Sequence, residues 1–324
     1  MSSAYRTPVV SLGLPVYNGE NFVADAIESA LAQTCGDFEL VIHDNASTDR
    51  TAEICRDYAA RDLRVLYFRN VQNLGAAPNY NLTQARARGR YFKWLAHDDR
   101  MRPGYLAATV RKLDETPAAV LCNTVVQYID AEGQPIGVYD SHLRDADVAS
   151  PAARFRSLVL HSHSCVDFFG LIRREAMAGS LLHGSFHGAD RAFIAQMALR
   201  GRLVQLTDPL VEMREHPLRY TRRQSRSSER RAWHDASHRD RITFPVWRLY
   251  AEYLKMVRTA PLSAADRLRC YGVLGQWWVH NWNALRAAVD LLAVLAPGAP
   301  GFAESLKARV FGAAPGHFIA DRRR

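Results

Sequence analysis

At 324 residues, with an apolar fraction of 48%, the chain has ample material for one large α/β domain with an appendage or for two ordinary domains, and wholesale disorder is excluded. Cys35, Cys55, Cys122, Cys165 and Cys270 are odd in number, scattered and free of any CxxC pair, which argues against a disulfide framework and a zinc site and for a reducing compartment. The formal charge of +9 is not a nucleic-acid signature, because between Arg6 and Arg50 seven acidic residues occur with no Lys or Arg, and that half would repel a phosphate backbone unless a cation intervened.

The first residues, MSSAYRTPVVSLGLP, lack a charged segment ahead of an apolar one, and no run of 18 apolar residues occurs, so a soluble, cytoplasmic chain is expected. VVSLGLP (9–15) reads as a buried strand, and Phe22 to Gln33 has helical spacing. FELVIHD (38–44) is a second strand, followed by a helix to about Arg61 that Thr48 or Asp49 is placed to cap. RVLYFR (64–69) is a third strand; a helix starts near Pro78, YFKWLA makes a fourth strand, and Pro103 opens another helix. This alternation predicts a mostly parallel sheet flanked by helices.

Ligands of such sheets bind beyond the carboxyl ends of the strands. Asp44 ends the second strand, and Asp98 with Asp99 follows the fourth, so three carboxylates without evident partners should converge on one rim. Each has an ordinary reading as well, Asp44 in an Asx turn and Asp98 or Asp99 as a helix cap. Clustered acids repel one another unless a cation sits among them, and hard oxygen ligands point to Mg²⁺ or Mn²⁺ shared with a diphosphate. Neighbours in an extended chain project to opposite sides, so one of Asp98 and Asp99 should bind metal and the other a sugar hydroxyl.

In this order and at these separations, LPVYNGENFVADAIESALAQT, DNASTDRT, NLGAAPNYNL and FKWLAHDD resemble the nucleotide-binding half of the family 2 glycosyltransferases, over residues 9–105. The resemblance implies the GT-A fold: an α/β architecture with a Rossmann-like nucleotide-binding half, to which a C-terminal helical extension is added here. It implies a catalytic domain over 1–218, divided near residue 115 into nucleotide-binding and acceptor halves; 219–324, read as a basic flap and a helical C-terminal region, includes helices with no clear family counterpart. By the same resemblance Asp44 contacts the nucleobase and Asp98 the ribose or donor sugar, while Asp99 ligates Mn²⁺ or Mg²⁺. Pro15, Tyr17 and Glu20 line the nucleotide pocket, with Asn73 and Gly75 on its far side. His97 stands where the family's acidic motif often has its first Asp.

The family also carries an acid at the start of a helix midway along the chain, and GSFHGADRAFIAQMALRGR (184–202) makes Asp190 the candidate base, with an N-cap as its structural alternative. VEMREHP (211–217) resembles the place where relatives bring a His to the diphosphate or metal, which selects His216, next to Arg214 and over the rivals His183 and His187. The implied reaction is an inverting transfer from a nucleoside diphosphate-sugar, UDP- or dTDP-linked by the suitability of Asp44 for uracil or thymine, to a hydroxyl acceptor. A sugar nucleotidyltransferase would place a Gly-rich, cationic loop after the first strand, which the interval from Thr7 to Asp49 lacks; a non-catalytic sugar-nucleotide or polyanion binder is the other alternative.

The run RYTRRQSRSSERR (219–231) reads either as a solvated charge run or as a flap over the diphosphate. Beyond it, Tyr271, Leu274, Trp278, Trp282, Leu285, Val289 and Leu292 form an apolar stripe on a helix expected from about Asp266 to Leu292. Packing on the catalytic domain or a homodimer seam is the first expectation; peripheral contact with the inner membrane face, through the tryptophans and nearby arginines, is the sharper one.

Overall fold

The computed structural model describes residues 7–161, 163–217, 219, 233–234 and 244–295. Most of the Arg219–Arg231 run lies outside these residues. β1 (Val10–Val16), β2 (Phe38–Asp44), β3 (Val65–Arg69) and β4 (Tyr91–Trp94) form a parallel group in the order β3-β2-β1-β4. Between them run α1 (Val23–Leu31), α2 (Thr51–Arg61) and α3 (Ala76–Ala85). β1 is buried at all seven positions, as a central strand covered on both faces must be. A Cβ on Gly13 would lie 2.5 Å from Thr83 Oγ1 and 2.7 Å from the Phe92 ring, so glycine there lets α3 lie against the strand.

Past β4 the sheet becomes mixed. After the short β5 (Arg100–Met101) and α4 (Tyr105–Glu115), the long β6 (Ala119–Ile129) and its hairpin partner β7 (Pro135–Tyr139) lead through α5 (Pro151–Leu160) to β8 (Leu171–Arg173). β8 is antiparallel to both β4 and β6, joining the halves. α6 (Ala189–Arg200) precedes β9 (Arg202–Arg214), which runs parallel to β6 and antiparallel to β5. Trp94 sits under this junction, stacked on Phe168 with ring centres 4.5 Å apart, and its indole N–H donates to the Tyr80 carbonyl at 3.0 Å.

The C-terminal region holds α7 (Pro245–Thr259), α8 (Ala264–Trp277) and α9 (Asn283–Leu295). Tyr253, Met256 and Val257 of α7 and Cys270, Val273, Leu274 and Trp277 of α8 share one apolar cluster with Phe155 and Val159 of α5 and Ala192, Ala195 and Leu199 of α6. The single helix expected from Asp266 to Leu292 is therefore two. The Asn283 side chain donates to the Trp277 carbonyl at 2.9 Å, Trp282 takes a left-handed φ of 58°, and the chain changes direction there. The break splits the stripe: Trp277 and part of Trp278 turn inward, whereas Trp282 is 65% exposed. Among the described residues no helix is long and apolar enough to cross a membrane.

Candidate active site

The parallel group brings the carboxyl ends of β1 to β4 to one rim, where Val16 stands level with Asp44. The loops after β1 and β2 are stitched reciprocally. The Asn18 N–H donates to Ser47 Oγ at 2.9 Å and the Thr48 N–H returns to Asn18 Oδ1 at 2.8 Å. Likewise the Glu20 N–H donates to Asp49 Oδ2 at 3.1 Å, and the Arg50 N–H to Glu20 Oε2 at 3.0 Å. Asp49 also accepts from the Thr51 N–H at the start of α2. Pro15 is buried and Tyr17 and Glu20 are exposed on this rim.

Asn73 and Gly75 lie in an asparagine network. Asn73 Oδ1 accepts from Asn45 Nδ2 at 2.9 Å and from the Gly75 N–H at 2.8 Å. Asn45 Oδ1 accepts from the Leu74 N–H and from Asn70 Nδ2, and Asn79 donates to the His43 carbonyl. Asn45, Asn70 and Asn79 carry this rim as much as Asn73 does; the recurrence of asparagine through NVQNLGAAPNYN was the available signal for Asn70 and Asn79.

The carboxylates are not partnerless, which corrects the sequence-based expectation. Asp44 is fully buried; it accepts from the Ser47 N–H at 2.8 Å and the Tyr67 hydroxyl at 2.8 Å, and lies 3.3 Å from Arg69 Nε. Its oxygens are engaged by these partners inside the protein. Asp98 and Asp99 sit in a turn, with the Asp99 N–H bonded to the Ala96 carbonyl, not in an extended strand, so the opposite-sides argument does not apply. Both address the exit of β9: Asp98 Oδ2 lies 3.0 Å from His216 Nε2, and Asp99 Oδ1 accepts from the Arg214 N–H at 2.9 Å. His216 thus meets Asp98, not Asp99.

Arg214, only 1% exposed, organises this turn. Its guanidinium donates to the Asp98 carbonyl at 3.1 Å, the Ala131 carbonyl at 2.8 Å and Asp25 Oδ2 at 2.8 Å, and lies over the Phe22 ring. Its removal strands those acceptors, so Arg214→Ala should lose about 3 kcal/mol of stability, read by urea unfolding. A loss below about 1 kcal/mol would show that water replaces the guanidinium.

Burial, with the charge of Asp98 beside it, pushes the Asp99 carboxyl up to about 7. Burial also opposes the charge of Asp98, but His97, the His216 hydrogen bond and Arg219 outweigh it and hold that carboxyl well below the usual range. Arg219 is anchored by Glu215 at 2.5 Å and by the Arg214 carbonyl. Beneath the pair, burial lowers the Lys93 ammonium to about 7; it bonds the Phe169 carbonyl and faces the Tyr105 ring. No motif pointed to Lys93, a cation inside an apolar strand.

Asp190 reaches the same region. It is not the N-cap of its helix: α6 starts at Ala189, and Gly188 caps it with a left-handed φ of 87°. Asp190 stands in the first turn, half-buried, with Oδ1 accepting from the Arg191 N–H. The Tyr80 phenol is pushed up by burial and then by the charges of Asp98, Asp99 and Asp190, so all three carboxylates lie within electrostatic reach of one side chain. His183 packs on Tyr80 at 4.9 Å and is kept neutral by burial, with Asp190 opposing; His187 is on the exposed side.

Among the described residues no three His, Cys, Asp or Glu side chains form a ready metal cage. An ion held by one or two carboxylates and a substrate diphosphate needs none. Asp99 fits that role: its Oδ1 is fixed by Arg214, and its Oδ2 takes no hydrogen bond among the described residues.

The family model described as Glycosyl transferase family 2 matches residues 11–179, more than half of the chain. An uncharacterized glycosyltransferase of Rickettsia typhi is 35% identical over 119 residues, 36% of this chain and 36% of that protein. The putative glycosyltransferase EpsH of Bacillus subtilis is 32% identical over 127 residues, 39% of this chain and 36% of its own length. The matched stretch thus spans little more than a third of these relatives. The fold is that of S. aureus TarS in complex with UDP-GlcNAc (TM-score 0.61, 17% identity, 83% of this chain and 72% of that one). It is also that of the mannosyltransferase PcManGT from Pyrobaculum calidifontis in complex with GDP-Man and Mn²⁺ (TM-score 0.52, 19% identity, 95% of this chain and 81% of that one).

Proposed function

The chain belongs to glycosyl transferase family 2, and we propose on that premise that it moves a sugar from a nucleoside diphosphate donor to a hydroxyl acceptor, with inversion and with help from a divalent cation. The fixing of Asp98 and Asp99 side by side at the exit of β9, through His216 and Arg214, carries this reading, with Asp190 within electrostatic reach of the same region. Its nearest support elsewhere is that TarS is seen with UDP-GlcNAc, and PcManGT with GDP-Man and Mn²⁺.

Asp99 Oδ2 would hold Mn²⁺ or Mg²⁺, and such an ion offsets the charge of a departing diphosphate. Asp98, fixed by His216, accepts from a ribose or sugar hydroxyl, while Pro15, Tyr17, Asn73 and Gly75 bound the base. Glu20 and Asp44 act by holding this rim together, through Arg50 and through Tyr67 and Arg69. Asp190 takes the proton of the acceptor hydroxyl as it attacks from the side opposite the diphosphate. Residues 1–218 serve as the catalytic unit, and the helices after 244 buttress it.

A thermal-shift panel of nucleoside diphosphates, with and without Mn²⁺, tests the reading. A ligand at 100 Kd adds about 2.7 kcal/mol, and UDP or dTDP should do so in a Mn²⁺-dependent way. No stabilisation by any nucleoside diphosphate would sink it.

A further inference from the structure

Arg219 reaches the acidic pair with its charge only partly spent. β9 ends at Arg214, and the turn beyond it, closed by the Arg219 N–H on the His216 carbonyl at 3.1 Å, folds Arg219 back over the strand end. There its Nη1 donates to the Arg214 carbonyl at 3.1 Å and to Glu215 Oε1 at 2.5 Å. The N–H of that same Arg214 holds Asp99 Oδ1, and an extended residue directs its N–H and C=O to the same side. Arg219 and Asp99 therefore share one edge of β9. His216, whose carbonyl closes the turn, carries its Nε2 to 3.0 Å from Asp98 Oδ2, so the turn is fixed against both carboxylates.

The guanidinium keeps one edge unused. Among the described residues its Nε and Nη2 reach no oxygen, and Nη2 meets only the Met213 sulfur at 3.9 Å. Burial opposes its charge, and Asp99, followed by Glu215 and Asp98, outweighs burial. A fixed positive charge with a two-donor fork thus stands beside the carboxylate suited to a divalent cation. Such a charge repels a cation that arrives alone. It attracts a diphosphate, whose oxygens the fork fits in pairs. Resting on the reading of this rim as a nucleoside diphosphate site, we propose that Arg219 sets the order of loading: it opposes Mn²⁺ or Mg²⁺ at Asp99 in the absence of donor, and it grips the diphosphate beside the ion when the donor binds. The ion then enters with the donor, not ahead of it. Glu215 holds the guanidinium in place for both roles.

Two binding measurements that need no acceptor test this on the full chain: Mn²⁺ alone, followed by electron paramagnetic resonance, and UDP, titrated calorimetrically. Arg219→Gln should bind Mn²⁺ alone roughly threefold or more tighter than wild type, because the opposing charge is gone. The same variant should bind UDP roughly tenfold or more weakly, the loss expected for charge-assisted hydrogen bonds. A merely structural arginine would not move the two affinities in opposite directions. Arg219→Lys keeps the charge, and with it the pairing to Glu215, but lacks the fork; it should match wild type for Mn²⁺ alone and bind UDP roughly threefold more weakly. Wild-type UDP affinity in either variant, or Mn²⁺ binding that weakens in Arg219→Gln, would overturn the proposal while leaving the donor reading standing. A wild type that binds no UDP would sink both.

Discussion

Asp99→Asn should abolish the Mn²⁺-dependent part of nucleoside diphosphate binding and lower transfer about 10³-fold, with the melting temperature of the ligand-free protein no lower than wild type. The geometry separates these effects. An asparagine oxygen still accepts from the Arg214 N–H, so the turn keeps its anchor. What is lost is the charge, which burial opposes in the ligand-free protein and which only a cation makes favourable. The comparison is a calorimetric titration of UDP with and without Mn²⁺ on both proteins. Unchanged Mn²⁺ dependence in the variant would move the metal role elsewhere. Asp98→Asn provides the contrast: it leaves the Mn²⁺ dependence and instead weakens binding of nucleoside over free diphosphate.

Asp190→Asn should leave the fold and donor affinity intact and reduce transfer by roughly 10² to 10⁴, the range lost when a general base is removed. Asp190 Oδ1 accepts from the Arg191 N–H in the first turn, and an asparagine oxygen can keep that bond, so the helix keeps its start in the variant. A carboxylate in a first turn does favour the helix dipole, a term of about 0.3–1 kcal/mol that urea unfolding would detect. Transfer rates measured at saturating donor give the answer, and wild-type turnover in the variant would leave Asp190 a structural residue.

The parallel half of the fold was legible because each strand and helix there carries its own local pattern. β1 and β2 appear within a residue of their expected bounds, and the parallel rim follows from the alternation alone. What could not be read was pairing across distance. Asp99 finds its donor 115 positions away at Arg214, and Asp44 finds Tyr67 and Arg69 on the neighbouring strand, so acids that are solitary in sequence are partnered in space. Lys93 escaped for a related reason: its place above Tyr105 and on the Phe169 carbonyl depends on the antiparallel β8, which a run of parallel units does not announce. The long C-terminal stripe misled because spacing persists through Trp278 to Trp282 while the backbone does not. Helical periodicity records which side chains are apolar, and a helix broken at one residue can retain it.

The apolar cluster that joins α5 and α6 to α7 and α8 has a consequence for how this chain can be cut and recombined. A border drawn at residue 218 follows composition, yet it passes through a shared interior: Ala192, Ala195 and Leu199 on the helix bearing Asp190 would lose their cover of Tyr253, Met256 and Trp277. Grafting the first two-thirds onto a relative's tail therefore means matching the shape of that tail to the back of α6. Drift in the tail and drift in α6 are bound to each other, so the helix that carries Asp190 changes only as fast as the helices behind it allow.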